Sequence, residues 1–278
     1  MNNRDALKEV AAQTLAVLAE GTYHAPSGAP RELGAWQAAA VADTCLHRPA
    51  ELDALLQGVG PGGSPPRLEV TAETTQQAAR RLVGQEQEMD LVLLNFASAR
   101  NAGGGFLGGA RAQEEELSRC SGLYPCLLTQ PDYYTYNRRR KTLLYSDHII
   151  YSPGVPFFRE HSDHLLERPF RCAVITSPAP NAGEVLRRDA EAVPAIEAAL
   201  RLRAGKVLAV AAHHGHRAVL LGAWGCGVFR NHAPTVADAF GRWLADPRFL
   251  GSFDRVVFAI PGRAFGGANL RAFEERFR

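Results

Sequence analysis

The stretch "DLVLLNFASARNAGGGF", residues 90–106, decides how this chain is read. Its first half is almost wholly apolar, as a strand covered on both faces of a sheet must be, and its second half is a glycine-rich turn. A second apolar run, "RAVLLGA" (217–223), leads in the same way into a second glycine turn, "WGCGVF" (224–229). In a layered α/β sheet the ligand lies in the crevice beyond the C-terminal ends of the strands. Two glycine turns at that edge imply one ligand held from two sides.

Outward from these turns, "LEV" (68–70), "RCAVIT" (171–176) and "RVVFAI" (255–260) read as further short strands. Helical stretches are predicted near 74–86, 110–121, 189–214, 235–246 and 266–277. Strands alternating with helices give the class: α/β, a layered mixed sheet flanked by helices. Upstream, Leu7, Val10, Ala11, Thr14, Leu15 and Leu18 share one helical face over 4–20, with Gly21 as its stop. Trp36 to His47 reads as a second helix ended by Pro49, and "GVGPGGSPPR" (58–67) as a loop. Residues 1–66 are thus expected to be a helical extension packed on a core domain over 67–278.

A net charge of +2 supplies no broad field toward DNA or a membrane surface, so no sequence-specific nucleic-acid binding is expected. The basic run Arg138-Arg139-Arg140-Lys141 reads as a solvated face, the alternative being a local contact to a polyanion. No apolar stretch reaches the ~18 residues of a membrane span. The N-terminal residues Arg4, Asp5, Lys8 and Glu9 interrupt what a secretion signal would need. Five cysteines, odd in number and without paired metal-ligand spacing, fit reduced thiols. A cytoplasmic monomer is expected.

Gly103-x-Gly105-x-x-Gly108 formally matches a dinucleotide fingerprint, which requires an acidic residue about twenty positions on, at the end of the next strand. That region is "LYPCLLT" (123–129), without an acid. Gln113-Glu114-Glu115-Glu116 would also set carboxylates in the first turns of the helix that should face a pyrophosphate. No G-x-x-x-x-G-K-[ST] loop and no G-x-S-x-G elbow are present. Taken singly, the glycines could be a surface loop and the glutamates could complement a helix N-terminus. Together with the second glycine turn they point to a site. His213-His214-Gly215-His216 falls at a helix end, where the dipole favours imidazoles, and lacks an acid or cysteine at ligand spacing, so no metal is expected. Cys226 reads as a small, close-packed residue of its loop.

"GGGFLGGARAQEE" (103–115), with seven residues between GGG and QEE, resembles the GGG-x(6–8)-QEE signature of poly(ADP-ribose) glycohydrolases. "LGAWGCGVFRN" (221–231) is similar to that family's second phosphate loop, while "NFASARNAGGG" (95–105) and "YSPGVPFFRE" (151–160) look like its microbial-type branch. The resemblance implies a macrodomain fold, no cofactor, and hydrolysis of the ribose–ribose O-glycosidic bonds of poly(ADP-ribose) to release ADP-ribose, with polymer-modified proteins as partners. It assigns acid/base catalysis to Glu115 and ribose contacts to Glu114, Gln113, Ser98, Asn101 and Phe229. It gives the diphosphate to Gly103, Gly104 and Gly105 on one side and to Gly225, Cys226, Gly227 and Val228 on the other. Glu73 lies where macrodomains often contact adenine.

Glycoside hydrolysis needs a proton on the leaving oxygen and an activated water. Adjacent helical residues do not project the same way, so Glu114 and Glu115 cannot form a facing pair and one carboxyl must serve both steps. That role requires Glu115 to start protonated, with a raised pKa. Glu116, outside the signature, reads as a solvent-facing helix residue. Two other readings stay open: a macrodomain that binds ADP-ribose without cutting it, and a nicotinamide-dependent oxidoreductase.

Overall fold

The computed structural model describes residues 3–60, 62–87, 90–162, 164–262 and 267–278. In chain order, α1 (Asn3–Glu20), β1 (Thr22–His24), β2 (Pro30–Glu32), α2 (Gly34–Ala42), β3 (Cys45–His47) and α3 (Pro49–Gly58) make the N-terminal segment. Then follow β4 (Arg67–Thr71), α4 (Thr75–Arg80), β5 (Leu91–Phe96), α5 (Gln113–Cys120), α6 (Leu123–Leu128), α7 (Pro131–Arg139), β6 (Ile149–His161) and β7 (His164–Ser177). The chain closes with α8 (Ala182–Arg188), α9 (Val193–His213), β8 (Ala218–Leu221), α10 (Ala233–Leu244), β9 (Arg255–Ala259) and α11 (Ala268–Arg276). Gly266, the predicted start of the last helix, lies outside the described residues.

The main sheet has seven strands in the order β3-β6-β7-β5-β8-β9-β4. β7, β5, β8, β9 and β4 are parallel to their neighbours, whereas β6 runs antiparallel to β7 and β3 antiparallel to β6. This is the mixed α/β sheet the sequence predicts. The period of two in β5 sorts its side chains: Val92 and Leu94 enter a core shared with α3, α9 and α10, while Leu91 and Leu93 enter one shared with α4, α5, α6 and α7. Both faces are covered, so the central strands carry nearly unbroken apolar runs.

Two expectations give way at the edges. The helix read over Trp36–His47 ends at Ala42; Cys45–His47 is a strand that pairs with β6, Cys45 opposite Tyr151 and His47 opposite Ile149. Pro49 opens α3 at its first turn, where the missing N–H costs nothing, rather than ending the helix before it. The N-terminal segment therefore supplies an edge strand of the main sheet as well as helices. "LYPCLLT", the region without the dinucleotide-fold acid, is largely the helix α6, with Leu123, Cys126 and Leu127 buried on one side. α3 is held by Leu52, fully buried and worth about 1.5–3 kcal/mol, and by Asp53, which pairs at 2.7 Å with the buried Lys206 of α9.

Candidate active site

β5 and β8 are parallel neighbours, so their C-terminal ends emerge side by side, each into its glycine turn. The turn after β5 is built around two glutamates. Gly103 and Gly104 have φ of +64° and +59°, a region that disfavours side chains. A Cβ on Gly104 would stand 2.4 Å from Glu115 Oε1, and Gly105 N–H donates to that same oxygen at 2.9 Å. The Gly104 amide is used within the turn, donating to the Asn101 carbonyl at 3.0 Å.

Glu114 lies beneath. Its side chain is buried, Oε2 accepting from Ser98 N–H at 2.6 Å and Oε1 from Asn95 Nδ2 at 3.2 Å, and the Gly103 amide also points to it. Burial raises its carboxyl to about 8 against the pull of these donors, with the Glu115 charge adding to the rise. Burial thus favours the protonated form of Glu114. The sequence expects the glycine amides to face diphosphate, but the structure turns those of Gly103 and Gly105 onto carboxylates. Glycine serves here by leaving room for Glu115.

Gln113, expected at ribose, is committed to the sheet: Nε2 donates to the Leu94 carbonyl (2.8 Å) and to Thr75 Oγ1 (3.2 Å), and Oε1 accepts from Phe96 N–H (2.8 Å). It fastens the start of α5 to the end of β5. Ser98 Oγ accepts the Arg100 and Asn101 amides at 3.3 and 3.2 Å, and the Asn101 side chain is exposed. Glu116, expected to face solvent, takes Ser162 N–H at 2.9 Å and pairs with Arg119 at 3.0 Å, whose guanidinium is wholly buried and donates to the Ala110 carbonyl. This network ties α5 and the turn before it to the β6–β7 hairpin.

α1 closes the turn from outside. Arg4 Nε donates to the Gly108 carbonyl at 2.8 Å, Thr14 Oγ1 to the Arg119 carbonyl at 2.8 Å, and Gly109 lies against the Arg4 backbone.

The turn after β8 is differently equipped. Gly225 has φ of +72°, and a Cβ there would meet Ala179 and Asn231 at 2.5 Å. Asn231 Nδ2 donates to the Pro180 and Gly225 carbonyls, which pins the loop. Among the described residues, the amides of Gly227, Val228 and Phe229 donate to no protein acceptor. Val228 is 75% exposed; Cys226 is buried and its thiol is pushed up to about 12, so it is no nucleophile. Phe229 is half-buried, its ring 6.0 Å from that of Tyr145, on a small apolar cluster with Ala99 and Leu143. Glu73 is spent elsewhere, paired at 2.7 Å with Arg81, which also binds Glu69 and Glu86.

Sequence reasoning missed Asn95, Thr75 and Arg119. A single asparagine inside the apolar run "LVLLNF" was the available signal, because a buried amide must find a partner.

Residues 11–160 match the family model described as microbial-type PARG, catalytic domain. The chain belongs to the microbial-type poly(ADP-ribose) glycohydrolases. A poly(ADP-ribose) glycohydrolase from Thermomonospora curvata is 49% identical, with a TM-score of 0.93 over 98% of this chain and 100% of the other. The same enzyme bound to the inhibitor ADP-HPD gives 48% and 0.90 over the same shares of the two chains. The glycohydrolase of Deinococcus radiodurans in complex with ADP-ribose is 44% identical, TM-score 0.82, over 89% of this chain and 98% of that one. No curated protein sequence matches. By family, the protein is a glycoside hydrolase acting on poly(ADP-ribose). No helix among the described residues is long and apolar enough to cross a membrane.

Proposed function

We propose that Glu115 is the acid and base of poly(ADP-ribose) hydrolysis in this chain. One observation carries the reading: of the two signature glutamates, Glu114 is buried with both oxygens engaged, while the half-buried Glu115 is held from one side by Gly105 N–H, over a glycine with no side chain to cover it. Glu115 gives its proton to the ribose oxygen as the glycosidic bond breaks, and the carboxylate then takes a proton from the attacking water. Burial of Glu114 disfavours a second negative charge beneath it.

The substrate's diphosphate is then bound by the turn after β8. Its free amides at Gly227, Val228 and Phe229 suit phosphate oxygens, and Phe229 offers a ring edge to the terminal ribose. Gly103–Gly105 shape the acid. Gln113 and Ser98 are positioning residues for β5 and Glu114, and Asn101 is left to meet ribose at the rim. Complexes of the relatives with ADP-ribose and ADP-HPD support an ADP-ribose subsite here. Residues 67–278 form the macrodomain-like catalytic unit, and residues 1–66 complete its sheet edge and brace its glutamate turn.

The test compares Glu115→Gln with wild type in two assays. ADP-ribose affinity stays within a few-fold while polymer turnover disappears. Near-wild-type turnover in the variant removes Glu115 from the mechanism.

A further inference from the structure

Far from the glutamates in sequence, three groups converge that the hydrolysis does not use. Cys45 and His47 stand at i and i+2 of β3, so their side chains leave the same face of the edge strand. His214, at the C-terminal end of α9, meets them there. His47 Nε2 lies 3.0 Å from His214 Nε2 and 3.7 Å from Cys45 Sγ, and all three atoms fall within 4.8 Å of one another.

The surroundings aim these atoms. His47 Nδ1–H donates to Glu51 Oε1 at 2.6 Å, which fixes the tautomer and leaves the Nε2 lone pair pointing at His214. The His214 ring is stacked on Tyr151 at 3.6 Å and 8°, so it cannot swing freely. Tyr151 in turn donates to His216 Nε2 at 2.8 Å, and His216 Nδ1–H donates to the Asp90 carbonyl just before β5. That anchor is at the opposite end of β5 from the glutamate turn.

We propose that Cys45, His47 and His214 form a binding site for a divalent cation of the zinc class, which clamps β3 to α9. A tetrahedral zinc ion with Zn–N near 2.05 Å and Zn–S near 2.3 Å separates its ligand atoms by about 3.3 Å (N···N) and about 3.6 Å (N···S). Two of the three spacings differ from these by a few tenths of an ångström or less, and the third lies within 4.8 Å. A thiolate and two imidazoles select zinc-like ions over magnesium or calcium, which prefer oxygen. Glu51 behind His47 is the carboxylate that commonly orients a metal-bound imidazole. The fourth position is left to water. Without metal, one proton shared between the two Nε2 atoms satisfies the pair, so the fold does not require the ion.

The sequence hid this site because His47 and His214 lie 167 positions apart, and the cluster at 213–216 alone has no cysteine nearby.

The test uses the full chain, stripped of metal and titrated with Zn²⁺ against a chromophoric chelator, and in parallel with Co²⁺. The expected result is one equivalent bound at micromolar affinity or tighter, a near-ultraviolet thiolate-to-cobalt charge-transfer band, and a higher Tm with Zn²⁺. Cys45→Ser abolishes the band, and Cys45→Ser and His214→Ala each weaken Zn²⁺ at least tenfold. Glu51→Gln keeps the band and weakens Zn²⁺ by about 10–100-fold. No saturable Zn²⁺ binding by the wild type, or binding unchanged in Cys45→Ser and His214→Ala, overturns the proposal. The wild-type titration does not depend on any variant folding.

Discussion

Gly104 and Glu115 share one space: the first carbon of any side chain at 104 would lie 2.4 Å from Glu115 Oε1, far inside contact distance. The glycine is thus coupled to the proposed acid. Gly104→Ala should push the Glu115 carboxylate off the Gly105 amide. A displacement of about 1 Å can cost on the order of 100-fold in rate. The expected outcome is a kcat lower by about that factor, with ADP-ribose affinity, measured by calorimetry, within a few-fold of wild type. A variant that loses affinity and keeps kcat would return this glycine to the diphosphate.

The Glu114 carboxyl gives a pH signature in stability. Its folded pKa, about 8, lies above the usual carboxylate value near 4.3 of the unfolded chain. The folded state therefore binds the extra proton, and its contribution is full below about 4.3 and is lost as pH rises through 8. Glu114→Gln cannot lose that proton. Denaturant unfolding at a series of pH values should show the variant gaining on wild type between pH 5 and pH 9. Parallel curves for the two proteins would show that Glu114 does not titrate in this way.

The parts of this protein legible in its sequence are those whose physics is local. The apolar runs of β5 and β8 and the glycines after them required no knowledge of distant residues, and they pointed to the candidate site. What escaped was set by partners far along the chain. Cys45–His47 is a strand because β6, about a hundred residues later, offers it an edge. Glu116 looked solvent-facing because Ser162 is invisible from α5, and the bonds of Gln113 could not be foreseen because Thr75 and the β5 backbone are not its neighbours in sequence. The role of the glycine triplet was not legible for a related reason. An open backbone can admit a ligand or a neighbouring side chain, and only the folded geometry says which.

Glu116 separates structure from chemistry inside the QEEE run. Its carboxylate pairs with an Arg119 whose side chain is wholly buried, and it accepts from Ser162. Glu116→Gln removes the charge that compensates that guanidinium, at a cost of about 1–3 kcal/mol. Chemical denaturation should show that loss, while the folded variant keeps ADP-ribose affinity and most of its kcat. A variant as stable as wild type would mean that Arg119 is satisfied by Ala110 and Ser162 alone.

The turn after β8 carries the binding prediction. Gly225 adopts φ of +72° with Ala179 and Asn231 crowding the place of a Cβ, so Gly225→Ala must shift the loop or the Asn231 amide that pins it. Either movement misdirects the amides of Gly227, Val228 and Phe229. Hydrogen bonds to a charged acceptor contribute about 1.5–3 kcal/mol each, so losing one weakens binding by about tenfold or more. The loss should fall on the diphosphate alone. ADP-ribose affinity should drop by that factor in Gly225→Ala, while affinity for adenosine, which lacks the phosphates, should change little. An equal loss for both ligands would mean that the loop shapes the whole pocket, and the diphosphate would have to be held elsewhere.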